Sequence, residues 1–159
     1  MLNVFRMAGL MSGDRVEAAS SGAAGLDAIL DKGVRGKPDV DALAARSESE
    51  ASVMLWNYHD DDVAAPDAPV RLAVAGLPAR ASRVLVRHFR IDRDHSNAYT
   101  VWQQMGSPQQ PTPEQYARLE AAGKLQLLEP PRWVSTARNT VELKFALPRQ
   151  AVSLVQVSW

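Results

Sequence analysis

The chain has 159 residues, 18 of them basic and 18 acidic, so its formal net charge is zero. A hydrophobic share of 46% and a charged share of 23% are typical of a folded globular domain and argue against wholesale disorder. The balanced charge gives no electrostatic reason to expect nucleic acid or an anionic membrane as a partner. There is no cysteine, which excludes disulfides, thiolate metal sites and cysteine nucleophiles.

The N-terminal segment predicts a helix without a start signal. Residues 2–11 are apolar at most positions, a pattern that indicates burial on nearly every side. No N-cap residue precedes them, so we expect the end of a longer helix. The segment lacks the features of a signal peptide, and no stretch of the chain approaches the roughly 20 apolar residues that span a bilayer. We expect a soluble protein, cytoplasmic or periplasmic, with the compartment left open.

Most of the remaining chain reads as short strands. Residues 16–38 predict a long loop, with a short strand at 16–19 and one helical turn near 26–30. Alternating or continuous apolar runs then predict strands at 40–45, 51–58, 70–74, 83–91, 133–137, 141–147 and 152–159. The strand at 133–137 is expected to form a hairpin with the next through Arg138-Asn139-Thr140. This spacing predicts a mainly β protein built as an antiparallel β-sandwich.

A helical insertion interrupts the strands at about residues 93–130. Thr112, Pro113 and Gln115 combine an N-cap, a proline at the first helical position and the second half of a capping box. A shorter helix is expected from Ala98 to Met105. The strand signal is absent between Asp92 and Pro131.

The residue types that carry chemistry form no convincing active site. The acids fall in turns, on exposed strand faces or on the capped helix, and nothing pairs two of them across a pocket. The run His59-Asp60-Asp61-Asp62 favours an acidic turn over a metal site, because consecutive extended residues point to alternate sides. The three histidines suggest no serine triad, and no complete phosphate-binding loop is present. We therefore expect no catalytic residue, no metal and no cofactor in this chain.

The aromatic residues leave two interpretations open. Trp56 and Trp159 lie on buried-looking strands and favour packing, whereas Trp102 lies on the short helix of the insertion. Exposed indole faces can also stack on sugar rings.

Seven sequence motifs extend beyond these general patterns: Phe89-Arg90-Ile91-Asp92, Asp94-His95-Ser96-Asn97-Ala98-Tyr99-Thr100-Val101-Trp102, Met105-Gly106-Ser107-Pro108-Gln109, Pro111-Thr112-Pro113-Glu114-Gln115, Val53-Met54-Leu55-Trp56-Asn57-Tyr58-His59, Pro131-Arg132-Trp133 and Leu147-Pro148-Arg149-Gln150. These motifs resemble the C-terminal region of glycoside hydrolase family 39, the family of bacterial β-xylosidases and α-L-iduronidase. Together they extend over most of the chain.

The resemblance implies a two-part architecture of which this chain holds one part. Family members join a (β/α)₈ catalytic barrel to a C-terminal β-sandwich. Residues 1–12 then correspond to the remnant of the last barrel helix, and residues 13–159 to the sandwich with its insertion. The family's acid/base and nucleophile are two barrel glutamates in a retaining mechanism, and no position here corresponds to either. The chain alone is therefore expected to be an inactive accessory domain of a β-xylosidase-like hydrolase.

Five residues of the insertion are candidates for a surface that faces the barrel or lines the rim of its pocket: His95, Ser96, Asn97, Tyr99 and Trp102. The alternative is that His95, Ser96 and Asn97 cap the helix and lock the loop. Two further functions stay open. One is a stand-alone carbohydrate-binding module that contacts xylo-oligosaccharides, and the other is a homo-oligomer assembled through an apolar patch of Leu2, Phe5, Met7 and Leu10.

Overall fold

The computed structural model describes residues 2–159. Within them lie twelve helices and strands, in the following order: α1 (Leu2–Leu10), β1 (Asp14–Val16), α2 (Leu26–Lys32), β2 (Asp39–Arg46), β3 (Glu50–Tyr58), β4 (Ala68–Val74), β5 (Arg83–Ile91), α3 (Ala98–Gln104), α4 (Pro113–Ala122), β6 (Gln126–Ser135), β7 (Val141–Leu147) and β8 (Val152–Ser158). The protein is mainly β, as predicted.

Two antiparallel sheets form the sandwich. The larger has six strands in the order β1-β2-β3-β8-β5-β6, and the smaller pairs β4 with β7. Strand β3 lies in the middle of the large sheet between β2 and β8, which explains why its sequence is apolar on both faces. Strand β7 alternates between buried and exposed residues, as its sequence predicts for a half-buried strand.

The core lies between the inner faces of the two sheets. The large sheet contributes valines and leucines such as Val53, Val84 and Val155, and the small sheet contributes Leu143 and Leu147. Three of these side chains (Val84, Val155 and Leu147) have no measurable solvent exposure. Burial of aliphatic side chains at this density supplies most of the free energy that favours folding.

Helix α1 packs on the outer face of the large sheet and adds a third layer. Met7 is fully buried there, and Leu154 of β8 is fully buried on the same face. Leu2, Phe5 and Leu10 are exposed, so the predicted burial on nearly every side is wrong. Met7 is consequently not part of the expected apolar patch. One side of the helix, with Met7, packs on the sandwich, and the opposite side is exposed to solvent.

Strand β6 departs from the sequence prediction in two ways. It begins at Gln126, before the strand predicted at 133–137 and within the insertion predicted at about 93–130, and it runs through both Pro130 and Pro131. An edge strand tolerates proline because only one of its sides donates hydrogen bonds, and the β5–β6 register is irregular around His88. These two prolines interrupt the strand pattern in the sequence, so the first half of β6 was not predicted.

The expected hairpin between β6 and β7 is not formed. Arg138 and Asn139 both have positive φ, and Ala137 bridges Thr140, so the predicted tight turn is present. However, β6 pairs with β5 and β7 pairs with β4, because the chain passes from one sheet to the other at this turn. No helix in residues 2–159 is both long and apolar enough to cross a lipid bilayer.

Candidate functional site

Besides the buried Met7, polar side chains hold α1 in place. Asn3 is buried and donates from Nδ2 to the carbonyl oxygens of Ser96 (2.8 Å) and Gly123 (3.0 Å). Arg6 donates to Asn3 Oδ1 at 2.8 Å. One amide therefore joins α1 to the turn before α3 and to the end of α4, which fixes the helix relative to the insertion.

The other end of α1 rests on a polar cluster in the outer face of the large sheet. Gln156 donates from Nε2 to the carbonyl oxygen of Leu10 (3.1 Å) and to Glu50 Oε1 (2.7 Å). The same carboxylate accepts from the hydroxyl groups of Ser52 and Ser158, each at 3.0 Å. Glu50 is thus occupied by structural hydrogen bonds on both of its oxygens.

Asp92 organises the turn that leads from β5 into the insertion. Its Oδ1 accepts from the backbone N–H groups of Asp94 and His95 (2.8 Å each) and lies 2.9 Å from His95 Nδ1. Burial opposes ionisation of this carboxyl, but the hydrogen bonds from His95 and Asp94 outweigh it, so the pKa of Asp92 is lowered. Asp92 remains an anion at neutral pH and fixes the ring of His95.

Arg90 connects this turn to the core. Its side chain is 2% exposed, with Nη1 3.6 Å from Asp92 Oδ2 and Nη2 donating to the carbonyl oxygen of Ala146 at 3.0 Å. Burial lowers the pKa of Arg90, and the neighbouring Asp92 carboxylate opposes that shift. A buried guanidinium requires such a partner, because an isolated charge in the core is strongly unfavourable.

Ser96 and Asn97 complete the turn. Ser96 is buried in a left-handed conformation (φ 56°), and its hydroxyl donates to the carbonyl of Arg90 (2.7 Å) while accepting from Gln126 N–H (2.9 Å). Asn97 is the N-cap of α3, accepting from Tyr99 N–H at 3.0 Å and donating to the carbonyl of Asp92 at 3.1 Å. Asn97 thus caps helix α3, and Ser96 and Asn97 together fix the loop that precedes it.

The aromatic pair of the insertion lies on α3. The rings of Tyr99 and Trp102 are stacked, with centroids 5.6 Å apart and planes inclined by 28°. Tyr99 is 61% exposed, and Trp102 is half-buried with Nε1 donating to the carbonyl of Pro108 at 3.1 Å. The exposed tyrosine leaves an aromatic face available at the surface.

The five predicted residues therefore occupy one continuous turn and helix. His95, Ser96 and Asn97 make the contacts of the capping alternative. Whether the group also lines a pocket rim in a larger assembly stays a prediction. Sequence reasoning missed Arg90, although its even-numbered position after Val84, Val86 and His88 places it on the buried face of β5. It also missed Asp92, for which an acid just before a capped helix is the available signal.

The acidic run after β3 is used to hold a loop. Asp60 Oδ2 accepts from the N–H of Val34 at 2.9 Å and lies 3.6 Å from Arg35 Nε. The hydrogen bond from Val34 is the main reason that the pKa of Asp60 is lowered. The part of the chain covered by the structure contains no group of three or more histidines and acids placed to hold a metal ion.

His88 is a buried titratable group outside the insertion. Its Nε2 lies 2.9 Å from Ser153 Oγ, and its ring meets Phe145 edge-on at 4.6 Å. Burial, with a further contribution from the charge of Arg90, lowers the pKa of His88 to about 4. The imidazole is therefore neutral at physiological pH.

Comparison with known proteins gives a consistent family assignment. The model of glycosyl hydrolases family 39 matches residues 1–140. Mouse α-L-iduronidase is 30% identical over 165 residues, which cover 99% of this chain but 24% of that protein.

The structural relatives agree in fold. A monomeric β-xylosidase from Caulobacter crescentus CB15 superposes with a TM-score of 0.65 at 17% identity, covering 98% of this chain and 30% of that one. A GH39 enzyme from Xanthomonas axonopodis pv. citri gives a TM-score of 0.64 at 19% identity, covering 79% of this chain and 28% of the other. The chain thus spans about a quarter to a third of the length of these relatives.

Proposed function

Because the chain belongs to glycosyl hydrolases family 39, we propose that it is the accessory β-sandwich of a β-xylosidase-like, retaining hydrolase and cleaves no glycoside alone. Its parent would hydrolyse terminal β-D-xylosyl residues. The 30% identity to an α-L-iduronidase makes an iduronoside the competing parent substrate. In both cases the catalytic barrel is the partner of this domain.

The observation that carries the proposal is the two-sided character of α1. One side is fixed to the sandwich by Met7 and Asn3, while Leu2 (63% exposed) and Phe5 (69% exposed) face outward. Burying exposed apolar side chains of this size stabilises an interface between domains. A helix that is anchored on one side and apolar but uncovered on the other has the properties expected of the last barrel helix, which would contact both the barrel and the sandwich.

The placement of the carboxylates supports inactivity. A retaining glycosidase needs two carboxyl groups about 5–5.5 Å apart, one of them free to donate a proton to the leaving oxygen. Glu50 and Asp92, whose side chains are 19% and 9% exposed, already accept several hydrogen bonds each. The hydrogen bonds to Asp92 lower the pKa of its carboxyl, which makes Asp92 a poor proton donor.

Activity assays on the purified chain test this proposal. We expect no turnover of 4-nitrophenyl β-D-xylopyranoside or of an aryl α-L-iduronide above the buffer rate. Turnover that disappears when a carboxylate of this chain is replaced by its amide, as in Glu50→Gln, would contradict the proposal, because the chain would then hold its own catalytic acid.

The pocket-rim role of the insertion is a separate part of the proposal. The residue equivalent to His95 is replaced by alanine in a full-length family member, and turnover and melting temperature are both measured. Lower turnover at unchanged melting temperature supports the rim, whereas loss of stability alone supports the cap.

A carbohydrate-binding module is the second candidate function, favoured by exposed Tyr99 and by Trp133, which is 58% exposed on edge strand β6. Tyr99 is stacked on Trp102 and Trp133 lies under Arg83, so each ring has one face left to stack on a pyranose ring. Calorimetric titration with xylo-oligosaccharides, repeated on Tyr99→Ala and Trp133→Ala, distinguishes this function. Absence of heat at millimolar sugar rejects it.

Self-association is the third candidate, since the same apolar side of α1 is uncovered in the isolated chain. Analytical ultracentrifugation should then show oligomers that Phe5→Ser abolishes. Tyr116→Ser is the matched control, because Tyr116 is similarly exposed (65%) on α4. A monomer at high concentration rejects this function and leaves the accessory role intact.

A further inference from the structure

The sandwich is open on the side where the six-stranded sheet extends beyond the two-stranded one. A cleft of about 350 Å³ lies there, between β2 and β3 on one wall and β4 on the other. Half of its lining residues are alanines, whose methyl groups leave the space unfilled. Its volume and apolar lining are those of a small-molecule site.

The lining of the cleft includes one positively charged side chain, that of Arg46. Arg46, at the end of β2, is half-buried, and its guanidinium carbon lies 5.4 Å from the ring centroid of Trp159. Within residues 2–159 no carboxylate oxygen approaches Arg46 to within the 4.0 Å of an ion pair, including that of Glu17, the other charged residue of the lining. The guanidinium is therefore available to an anion.

The indole beneath Arg46 is held in place. Trp159 donates from Nε1 to the carbonyl of Glu48 at 3.1 Å, and its backbone N–H donates to Ser49 at 3.0 Å. A guanidinium stacked on a fixed aromatic face is pre-oriented, which reduces the entropy lost when it binds a ligand. The planar fork of donors matches a carboxylate in a bidentate arrangement.

We propose that this cleft binds an aliphatic monocarboxylate, with the carboxylate on Arg46 and the hydrocarbon chain against Ala44, Val53 and Leu72. The apolar walls select the chain, and the single guanidinium selects one negative charge. Glu17 at the lining disfavours anions of higher charge. This site lies on the inner side of the large sheet, away from α1, and does not depend on the proposed accessory role.

The probe is sodium octanoate, titrated below its micelle concentration into ¹⁵N-labelled protein and followed by two-dimensional NMR. We expect saturable shifts at the indole N–H of Trp159 and at the amides of Arg46 and Leu72. Octan-1-ol, which has the same chain without the charge, should bind about tenfold more weakly, because it lacks a charge-assisted hydrogen bond.

Two variants and one control complete the test. Arg46→Gln should weaken octanoate about tenfold and leave octanol unchanged, and Ala42→Leu should block both by filling the cleft. Arg83→Gln is the control, because Arg83 lies 5.0 Å over the ring of Trp133, a similar pair outside this cleft.

Three results would overturn the proposal: no saturable shift at Trp159, shifts centred on Leu2 and Phe5 instead, or octanol binding as tightly as octanoate. If Arg46→Gln fails to fold, the comparison of octanoate with octanol on the natural chain and the Ala42→Leu variant still decides the question.

Discussion

Leu147, Val84 and Val155 are fully buried between the two sheets, whereas helices α3 and α4 of the insertion bury none of their side chains completely. The sandwich is stabilised by apolar area removed from water. The insertion is positioned by hydrogen bonds and by the buried Arg90–Asp92 pair. Polar contacts fix geometry more than they add stability, so the two regions should respond differently to substitution.

The largest effect is expected in the core. Leu147→Ala removes a fully buried side chain and leaves a cavity, which should lower the free energy of unfolding by about 2–5 kcal/mol. Urea denaturation followed by circular dichroism measures this change. Leu30→Ala is the control, since Leu30 is 77% exposed on α2, and it should stay within about 0.5 kcal/mol of the natural chain. Equal losses in both variants would contradict this account of the core.

Acid should weaken the core next, through His88. Its pKa is about 4 in the folded state against 6.5 for the unperturbed group, so the unfolded chain binds the extra proton first as pH falls. Neutral His88 contributes about 3 kcal/mol to the free energy of unfolding. This contribution is complete above pH 6.5 and is lost as the pH falls towards 4. Thermal melts from pH 7 to pH 4 measure it. In His88→Gln the melting temperature should change less between pH 7 and pH 4. An equally steep pH dependence in that variant would exclude His88 as the cause.

Substitution at Asp92, at the base of the insertion, should disturb the local structure of the insertion more than it lowers the free energy of unfolding of the whole domain. Asp92→Ala leaves the N–H groups of Asp94 and His95 without their acceptor and the buried Arg90 guanidinium without its anionic partner, at a cost of about 1–3 kcal/mol. Hydrogen exchange should accelerate first at residues 93–104, before the strands. Asp94→Ala is the control on an exposed neighbour. Uniform acceleration across the sandwich would show that the insertion and the core unfold as one unit.

The smallest effect is expected at the cap of α3. Asn97→Ala should cost about 1 kcal/mol through loss of the bond to Tyr99 N–H. Asn97→Asp keeps that acceptor but loses the donation to the carbonyl of Asp92. Comparing the two variants by chemical denaturation separates capping from loop locking. Identical values for the two variants would place the whole effect on the lost donor.

The elements with strong local signals could be predicted from the sequence. The alternation of Val141, Leu143 and Leu147 identifies β7, and the capping box of Thr112 and Gln115 is present, with Gln115 Oε1 2.9 Å from Thr112 N. These features depend on neighbours a few residues apart. Short-range patterns of this kind survive folding with little change.

Features that depend on distant partners could not be predicted. The partner of Asn3 is Ser96, more than ninety positions away, and the sheet to which β7 belongs is decided by pairing with β4. The apolar residues around α1 gave no indication of which side faces the sandwich, because that depends on β8 and β5 beneath it. Burial of Arg90 similarly requires knowledge that Asp92 and Ala146 are near.

The two edges of the large sheet have a consequence for how copies of this protein can meet. One edge is β1, only three residues long, and the other is β6, whose Pro130 and Pro131 cannot donate ladder hydrogen bonds. Neither offers a long, regular row of free amides for a strand of another molecule. Strands β1 and β6 therefore offer little regular backbone on which a strand of another molecule could extend the large sheet, which disfavours open-ended, amyloid-like stacking on them.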